Sequence, residues 1–290
     1  MRKRLGDGEV LPAPEGYQQL VLIASSPRGD IYRGCDREGH GVAIRQVPAL
    51  EDATERAGFE REVRASLRLH HPHIVRSIAT GQRHHARYLI MELVDGPSLR
   101  ARLAEQGALS EREGVMVLAH MAQALGYACR HGVLHLDVRP ANILLAPARL
   151  GVREPFYAKL SNFAFSHLGE FSDHGAHAAL AHDGARILSP EQAAGAKRVD
   201  HRSDIYGLAA TVLRALTVVA ADTGRITRRK RPHDPHILAG RGFAPELVEL
   251  LSAMLGEDPL LRPATWEDVI SRSRSLPATH HREASGDPHG

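Results

Sequence analysis

His135-Leu-Asp-Val-Arg-Pro-Ala-Asn142 is the stretch on which the reading of this chain turns. It sets an acid, Asp137, five residues before an amide, Asn142. Upstream lies a strong helical pattern. Ser110 with Glu113 three places on forms a capping box, and Val115, Leu118, Ala122, Leu125 and Cys129 recur at helical spacing behind it. Gly132 suits the helix exit. Val133–His135, Ile143–Leu145 and Ala158–Leu160 are short apolar runs, and the first predicts a short strand leading into the loop. Further helices are expected at about Ser203–Val218, Ala244–Leu255 and Trp266–Arg274.

Toward the N-terminus the pattern becomes extended. Tyr17–Ala24, Gly29–Arg33 and Gly41–Val47 are β-rich, and Asp36-Arg-Glu-Gly-His-Gly between the last two is turn chemistry. Ala53–Leu69 reads as a helix ended before Pro72, and Ile74–Thr80 and Arg87–Val94 as two more strands. After Asp95-Gly96-Pro97 the chain turns helical. The class is α+β with two lobes. A small antiparallel-sheet lobe is expected over residues 16–94 and a larger helical lobe over 95–276, hinged near 92–97. Residues 1–15 read as a loose arm and 277–290 as a disordered tail.

Composition narrows the function classes. The 290 residues are 43% hydrophobic and 24% charged, which excludes a mainly disordered or fibrous chain. A net charge of +3 gives no argument for nucleic acid as a partner. Two cysteines, Cys35 and Cys129, exclude a disulfide framework and fit a reducing compartment. The N-terminus lacks the apolar core of a signal peptide. Ile205–Ala221 is interrupted by Arg214 and falls short of the roughly 20 apolar residues of a membrane span. A cytoplasmic protein is expected. The nineteen histidines are scattered, and compositional bias is the favoured explanation over metal binding.

Other motifs stand in order around the central loop: Val42-Ala-Ile-Arg45, Arg61-Glu62-Val63 before His71-Pro72, Met91-Glu92, Asn162-Phe-Ala164, Ser189-Pro-Glu191, Asp204-Ile-Tyr-Gly207 and Arg262-Pro263. Over roughly residues 17–275 the chain resembles a bacterial Hanks-type serine/threonine protein kinase domain. The resemblance implies a two-lobed protein-kinase-like fold and a role for each matching residue. Gly29, Ile31, Ala43, Arg45, Glu62, Met91, Glu92, Val94 and Leu144 fall at nucleotide-binding positions. Of these, Ile31, Ala43 and Leu144 match the apolar residues that sandwich an adenine, and Arg45 would pair with Glu62. Asp137 would accept a substrate hydroxyl proton, Arg139 replaces a lysine on the γ-phosphate, and Asn142 and Asn162 fall at the metal positions. Glu191 would pair with Arg262, and Asp204 would brace the backbone of the central loop. Plain core packing serves the three apolar residues equally well, and Asp137 also fits a cap on its own loop.

The departures point away from phosphoryl transfer. The three phosphate-loop glycines fall on Ala24, Ser26 and Gly29, with Pro27 inserted. Side chains and a proline, which has no N–H, weaken a grip made of backbone donors. Arg45 stands for the sheet lysine and is larger and planar. The metal-binding aspartate is Asn162, one neutral carbonyl where a hard dication prefers a carboxylate, and Ala164 follows in place of glycine. Leu136 stands where many kinases carry an arginine, and Gly184 replaces a threonine of the activation segment. The expectation is a degenerate, pseudokinase-like protein that signals by binding a partner and a nucleotide. The alternatives are a slow, atypical ATP-dependent serine/threonine kinase with Asp137 as base, and a nucleotide sensor. ATP is the cofactor implied, and Mg2+ is poorly served. A protein partner is expected on the C-lobe and the basic run Arg225–Arg231.

Overall fold

A computed structural model describes residues 14–26, 29–47, 53–83, 86–148, 154–163, 187–196, 199–218 and 234–276. Residues 1–13, Pro27, Ala164, Gly184, the run Arg225–Arg231 and the tail at 277–290 lie outside them, as does the side chain of Glu62. The chain divides into two compact units, Met1–His70 with Val75–Val94, and His71–Ile74 with Asp95–Gly290.

The first unit is a five-stranded antiparallel sheet with one helix. Its strands are β1 (Gln18–Ser26), β2 (Gly29–Cys35), β3 (Gly41–Val47), β4 (Ser77–Arg83) and β5 (Ala86–Glu92), in the order β1-β2-β3-β5-β4. Asp36 makes the β2–β3 turn, its carboxylate accepting from the N–H groups of Glu38 and His40 at 2.9 and 2.8 Å. Strand alternation then sorts the core. Val42, Ile44, Tyr88 and Ile90 pack on one face. Val47 and Leu89 pack on the other, against Phe59 and Val63 of helix α1 (Ala53–Arg68). Each such buried side chain contributes roughly 1.5–3 kcal/mol. Pro14 is buried, and its carbonyl accepts from Tyr17 N–H at 3.1 Å. β4 starts at Ser77 and not at Ile74. Ile74 forms an isolated parallel bridge with Leu160 and groups with the second unit, so the apolar run is shared between two cores.

The second unit holds α2 (Leu99–Gln106), α3 (Glu111–Arg130), the hairpin β6 (Ile143–Pro147) and β7 (Phe156–Leu160), α4 (Pro190–Ala193), α5 (His201–Thr217), α6 (His236–Ala239), α7 (Pro245–Met254) and α8 (Trp266–Arg274). Ser110 and Glu113 form the expected capping box on α3. α3 is the hub. Its buried face of Val117, Leu118, Met121, Ala122 and Leu125 is packed by α5, α8 and β7. Residues 133–135 form no strand. The N–H of Val133 goes to Ala128 O at 3.0 Å and that of His135 to the Asp204 carboxylate at 2.8 Å. Among the described residues, no helix is long and apolar enough to cross a membrane.

Imidazoles pack in this unit as a stack. The His73 and His120 rings lie face to face at 3.9 Å, with Tyr157 nearly parallel to both at 6.2 and 5.8 Å. His71, Tyr127 and His131 extend the series. The backbone of Ala158 is gripped from both sides. His73 Nδ1 donates to its carbonyl at 3.0 Å, and His120 Nδ1 accepts from its N–H at 3.4 Å. Burial, and next the His73 imidazole beside each, pushes the pKa of His71 down to about 4 and that of His120 to about 3. Burial lowers His73 as well.

Candidate functional site

The central loop is built on one buried carboxylate. Asp204, on α5, accepts from the N–H groups of His135 at 2.8 Å and Leu136 at 2.6 Å. These two N–H groups are thereby taken from any strand pairing. Burial pushes the Asp204 pKa up, against the pull of His135 and the two amides. Leu136 sits at φ 59°. For a leucine the left-handed region costs roughly 1–2 kcal/mol, and the residue is held there at both ends. Asp204 takes its N–H, and Gln192 Nε2 donates to its carbonyl at 3.2 Å. Thr211 Oγ1 fixes the next turn by donating to Val138 O at 3.0 Å. Sequence reasoning passed over Gln192. Its signal is the pattern of Ser189 with Gln192 three residues on, a capping box at the start of α4.

The register of the second hairpin brings the two asparagines together. Ile143 pairs with Leu160, and Asn142 O accepts from the backbone N–H and the hydroxyl of Ser161 at 2.8 and 3.0 Å. Asn142, at the end of a 3-10 turn over Pro140–Asn142, is therefore next to Asn162. Asn142 Nδ2 donates to Asp137 O at 2.8 Å and to Asp137 Oδ2 at 3.0 Å. Arg139 Nε lies 3.4 Å from the same Oδ2. Asn162, left-handed at φ 72°, donates from Nδ2 to Asn142 Oδ1 at 3.3 Å. His135 Nδ1 accepts from Asp137 N–H at 3.2 Å, so the ring proton sits on Nε2 and is donated to Ser161 O at 3.0 Å. The ring meets Phe163 edge-on at 4.8 Å. Asn142 thus ties both the carbonyl and the carboxylate of Asp137 within the loop.

These residues do not fit a magnesium ion. A hard dication is held by converging oxygens, with carboxylates preferred. Here the Asn142 oxygen is met by an N–H of Asn162, which presents positive charge where a cation would stand.

Glu191 and Arg262 lie in contact. Two guanidinium nitrogens of Arg262 donate to the two carboxylate oxygens, each at 2.8 Å. The other donors reach Gly256 O, Arg202 O and Glu257 O at 2.8, 2.9 and 3.2 Å, which uses all five N–H groups. The guanidinium also stacks 4.9 Å above Tyr206. Burial alone would raise the Glu191 pKa; the bonds from Arg262 and Ser203 outweigh it and hold it at about 2.

In the first unit, the pairings Ile31–Arg45, Arg33–Ala43 and Ala43–Met91 put Ile31, Ala43, Arg45 and Met91 on one face of the sheet. It is the face that α1 covers, and Arg45 is only 5% exposed there. Position 62 lies on α1 between Phe59 and Val63. Glu92 is on the opposite face from Met91, and its carboxylate accepts from Arg76 N–H at 2.8 Å. Val94 is half-buried at the end of the unit. Gly29, the one family glycine kept, has a steric cause of its own. At φ 125° a Cβ there would stand 2.0 Å from Gln46 O on β3. Leu144 belongs to the second unit, half-buried on β6 opposite Lys159.

The protein kinase domain family matches residues 17–273. Serine/threonine-protein kinase pkn3 of Myxococcus xanthus is 29% identical over 269 residues, covering 87% of this chain and 48% of that protein. Serine/threonine-protein kinase PknB of Mycolicibacterium smegmatis is 33% identical over 209 residues, covering 69% of this chain and 32% of that protein. The chain thus spans less than half the length of these relatives. Among solved structures, Rad53 1-466 in complex with AMP-PNP is similar with a TM-score of 0.65 at 19% identity, covering 89% of this chain and 65% of that one, a likeness of fold. A loop braced by Asp204, an anchor between Glu191 and Arg262, and a family match over almost the whole described chain lead to one assignment: the chain belongs to the protein kinase family.

Proposed function

We propose that this protein is a pseudokinase, a cytoplasmic signalling protein that works by binding a protein partner and a nucleotide, with little or no phosphoryl transfer. The observation that carries the reading is the hydrogen bond from Asn162 to Asn142, which takes the oxygen that a metal-dependent site would turn to a cation. The altered phosphate loop and Arg45 add to it, and groups that act as a unit lose activity far from additively when several change. The adenine positions Ile31, Ala43 and Leu144 are apolar, as an adenine requires, and the similar Rad53 structure carries AMP-PNP. Apolar contact with a base needs no metal, whereas phosphate charge does. Binding is therefore weak and indifferent to magnesium. The partner is an acidic protein surface, met by the C-lobe and the basic run Arg225–Arg231.

A slow kinase is the second reading, favoured by Asp137, which is retained and held in place by Asn142. Two measurements separate the readings. Calorimetry with ATP and with adenosine, each with and without Mg2+, is expected to give affinities within about threefold of one another, since a factor of ten needs 1.4 kcal/mol from the phosphates. Radiolabelled transfer is expected at the level of the blank. Asn162→Asp alone does not restore it; adding Arg45→Lys and Ala164→Gly restores the metal and lysine positions while the altered phosphate loop stays, so at most a weak transfer is expected from the triple variant. Transfer by the native chain that disappears in Asp137→Ala protein would establish the slow kinase instead.

A further inference from the structure

We infer that the side-chain amide of Asn162 takes the place of a divalent cation in this loop, so that the residue at 162 alone decides whether the loop is self-sufficient or metal-requiring. The inference deepens the metal-site half of the proposed function, and its test contains no nucleotide, so the two fail separately.

The argument follows the direction of the hydrogen bonds. The Asp137 carboxylate only accepts, so Asn142 must turn its Nδ2 toward it, as it does at 3.0 Å. That choice fixes the amide: Asn142 Oδ1 has to face away, toward residue 162. Asn162 supplies the donor to that oxygen, with Nδ2 at 3.3 Å. The backbone oxygen of Asn142 is already supplied by Ser161, through its N–H and its hydroxyl. Asp137 Oδ2 has Arg139 Nε at 3.4 Å besides Asn142. The donors run in one direction, from Asn162 to Asn142 to Asp137, and every oxygen of the chain named here faces an N–H or O–H.

An aspartate at 162 would reverse the last link. It brings only acceptors, so an oxygen of residue 162 would face Asn142 Oδ1 with nothing between. Two outward oxygens beside the Asp137 carboxylate form the donor set that a hard cation requires, and without the cation they repel. The backbone is no obstacle, because aspartate, like asparagine, tolerates the left-handed conformation that Asn162 holds at φ 72°.

The test is thermal unfolding of the full chain in EDTA, in millimolar Mg2+ and in millimolar Mn2+. The native protein is expected to unfold within about 1 °C of the same temperature in all three. Asn162→Asp protein is expected to unfold about 3–6 °C lower in EDTA, with Mn2+ or Mg2+ returning most of the loss. Asn162→Ala protein, which removes the donor without adding an acceptor, is expected to lose stability in EDTA and to gain nothing from either cation. Native protein stabilised by a cation overturns the inference. So does Asn162→Asp protein that is as stable as native in EDTA, or that is weakened and ignores both cations. Should that variant be insoluble in EDTA, soluble protein from Mn2+ buffers supports the inference and insolubility in both overturns it. Titration of the native chain with Mn2+, followed by electron paramagnetic resonance, is an independent check; the free-ion signal is expected to stay undiminished.

Discussion

Asp204→Ala protein is expected to lose about 3–5 kcal/mol of folding stability, a large part of the ~5–15 kcal/mol that holds a typical domain together. The side chain is 3% exposed and accepts two backbone N–H groups. Each buried donor left without an acceptor costs about 1–3 kcal/mol. Leu136 would also lose one of the two ties that keep it left-handed, leaving only the Gln192 amide on its carbonyl. Asparagine at 204 keeps an oxygen for one amide and turns an N–H toward the other, so about half the loss is expected. Urea unfolding followed by circular dichroism measures both. A loss under about 1 kcal/mol in the alanine variant would mean that the loop is held by something other than this carboxylate.

Acid is the second large lever. His71, His73 and His120 titrate below the ordinary 6.5 because they are buried, with the His73 imidazole adding to the effect at His71, about 4, and His120, about 3. The unfolded chain therefore takes up protons first as the pH falls. Stability is whole above about pH 6.5 and declines progressively from there toward the folded values of about 4 and 3. One pKa unit corresponds to about 1.4 kcal/mol, and the half-exposed His71 contributes less than its shift because solvent screens it. A combined loss of a few kcal/mol by about pH 4.5 is expected. The other charged groups at the stack act in both directions. Glu154, 3.7 Å from His120 Nε2, favours protonation, whereas Lys159 opposes it at His71 and His73, and Arg130 opposes it at His71. His120→Phe keeps the stacked ring and removes one proton site. It is expected to lower stability at pH 7, where Ala158 N–H loses its acceptor, and to flatten the decline between pH 6.5 and 4.5. An unchanged slope would assign the acid response to other groups.

Local signals carried most of the fold. Helix α3 is readable because a capping box and a helical apolar stripe lie within one stretch of chain. The β2–β3 turn is readable because Asp36 bonds to residues two and four places on. Apolar pattern misleads where a run serves two cores. Ile74 continues the alternation of β4, yet its partner is Leu160, a contact that sequence spacing does not encode. The contact of Glu191 with Arg262, 71 residues apart, is legible only through family resemblance. Residue types alone identify Asn162 as a poor metal ligand. That its amide points at Asn142 depends on the register of β6 on β7 and on a left-handed backbone, neither of which leaves a mark in composition. The His73–His120 stack is hidden for the same reason: its members come from different elements and have no common spacing.

The second hairpin also separates length from chemistry. Its pairs run from Ile143–Leu160 beside the asparagines to Pro147–Phe156 at the other end, four steps or about 13 Å away. Register is locked by the paired strands and by Ser161 at the asparagine end, so residues added between Pro147 and Phe156 lengthen the connection without moving Asn142 against Asn162. An epitope or a fluorescent label inserted after Pro147 and ahead of Glu154 is therefore expected to leave the pair of asparagines undisturbed.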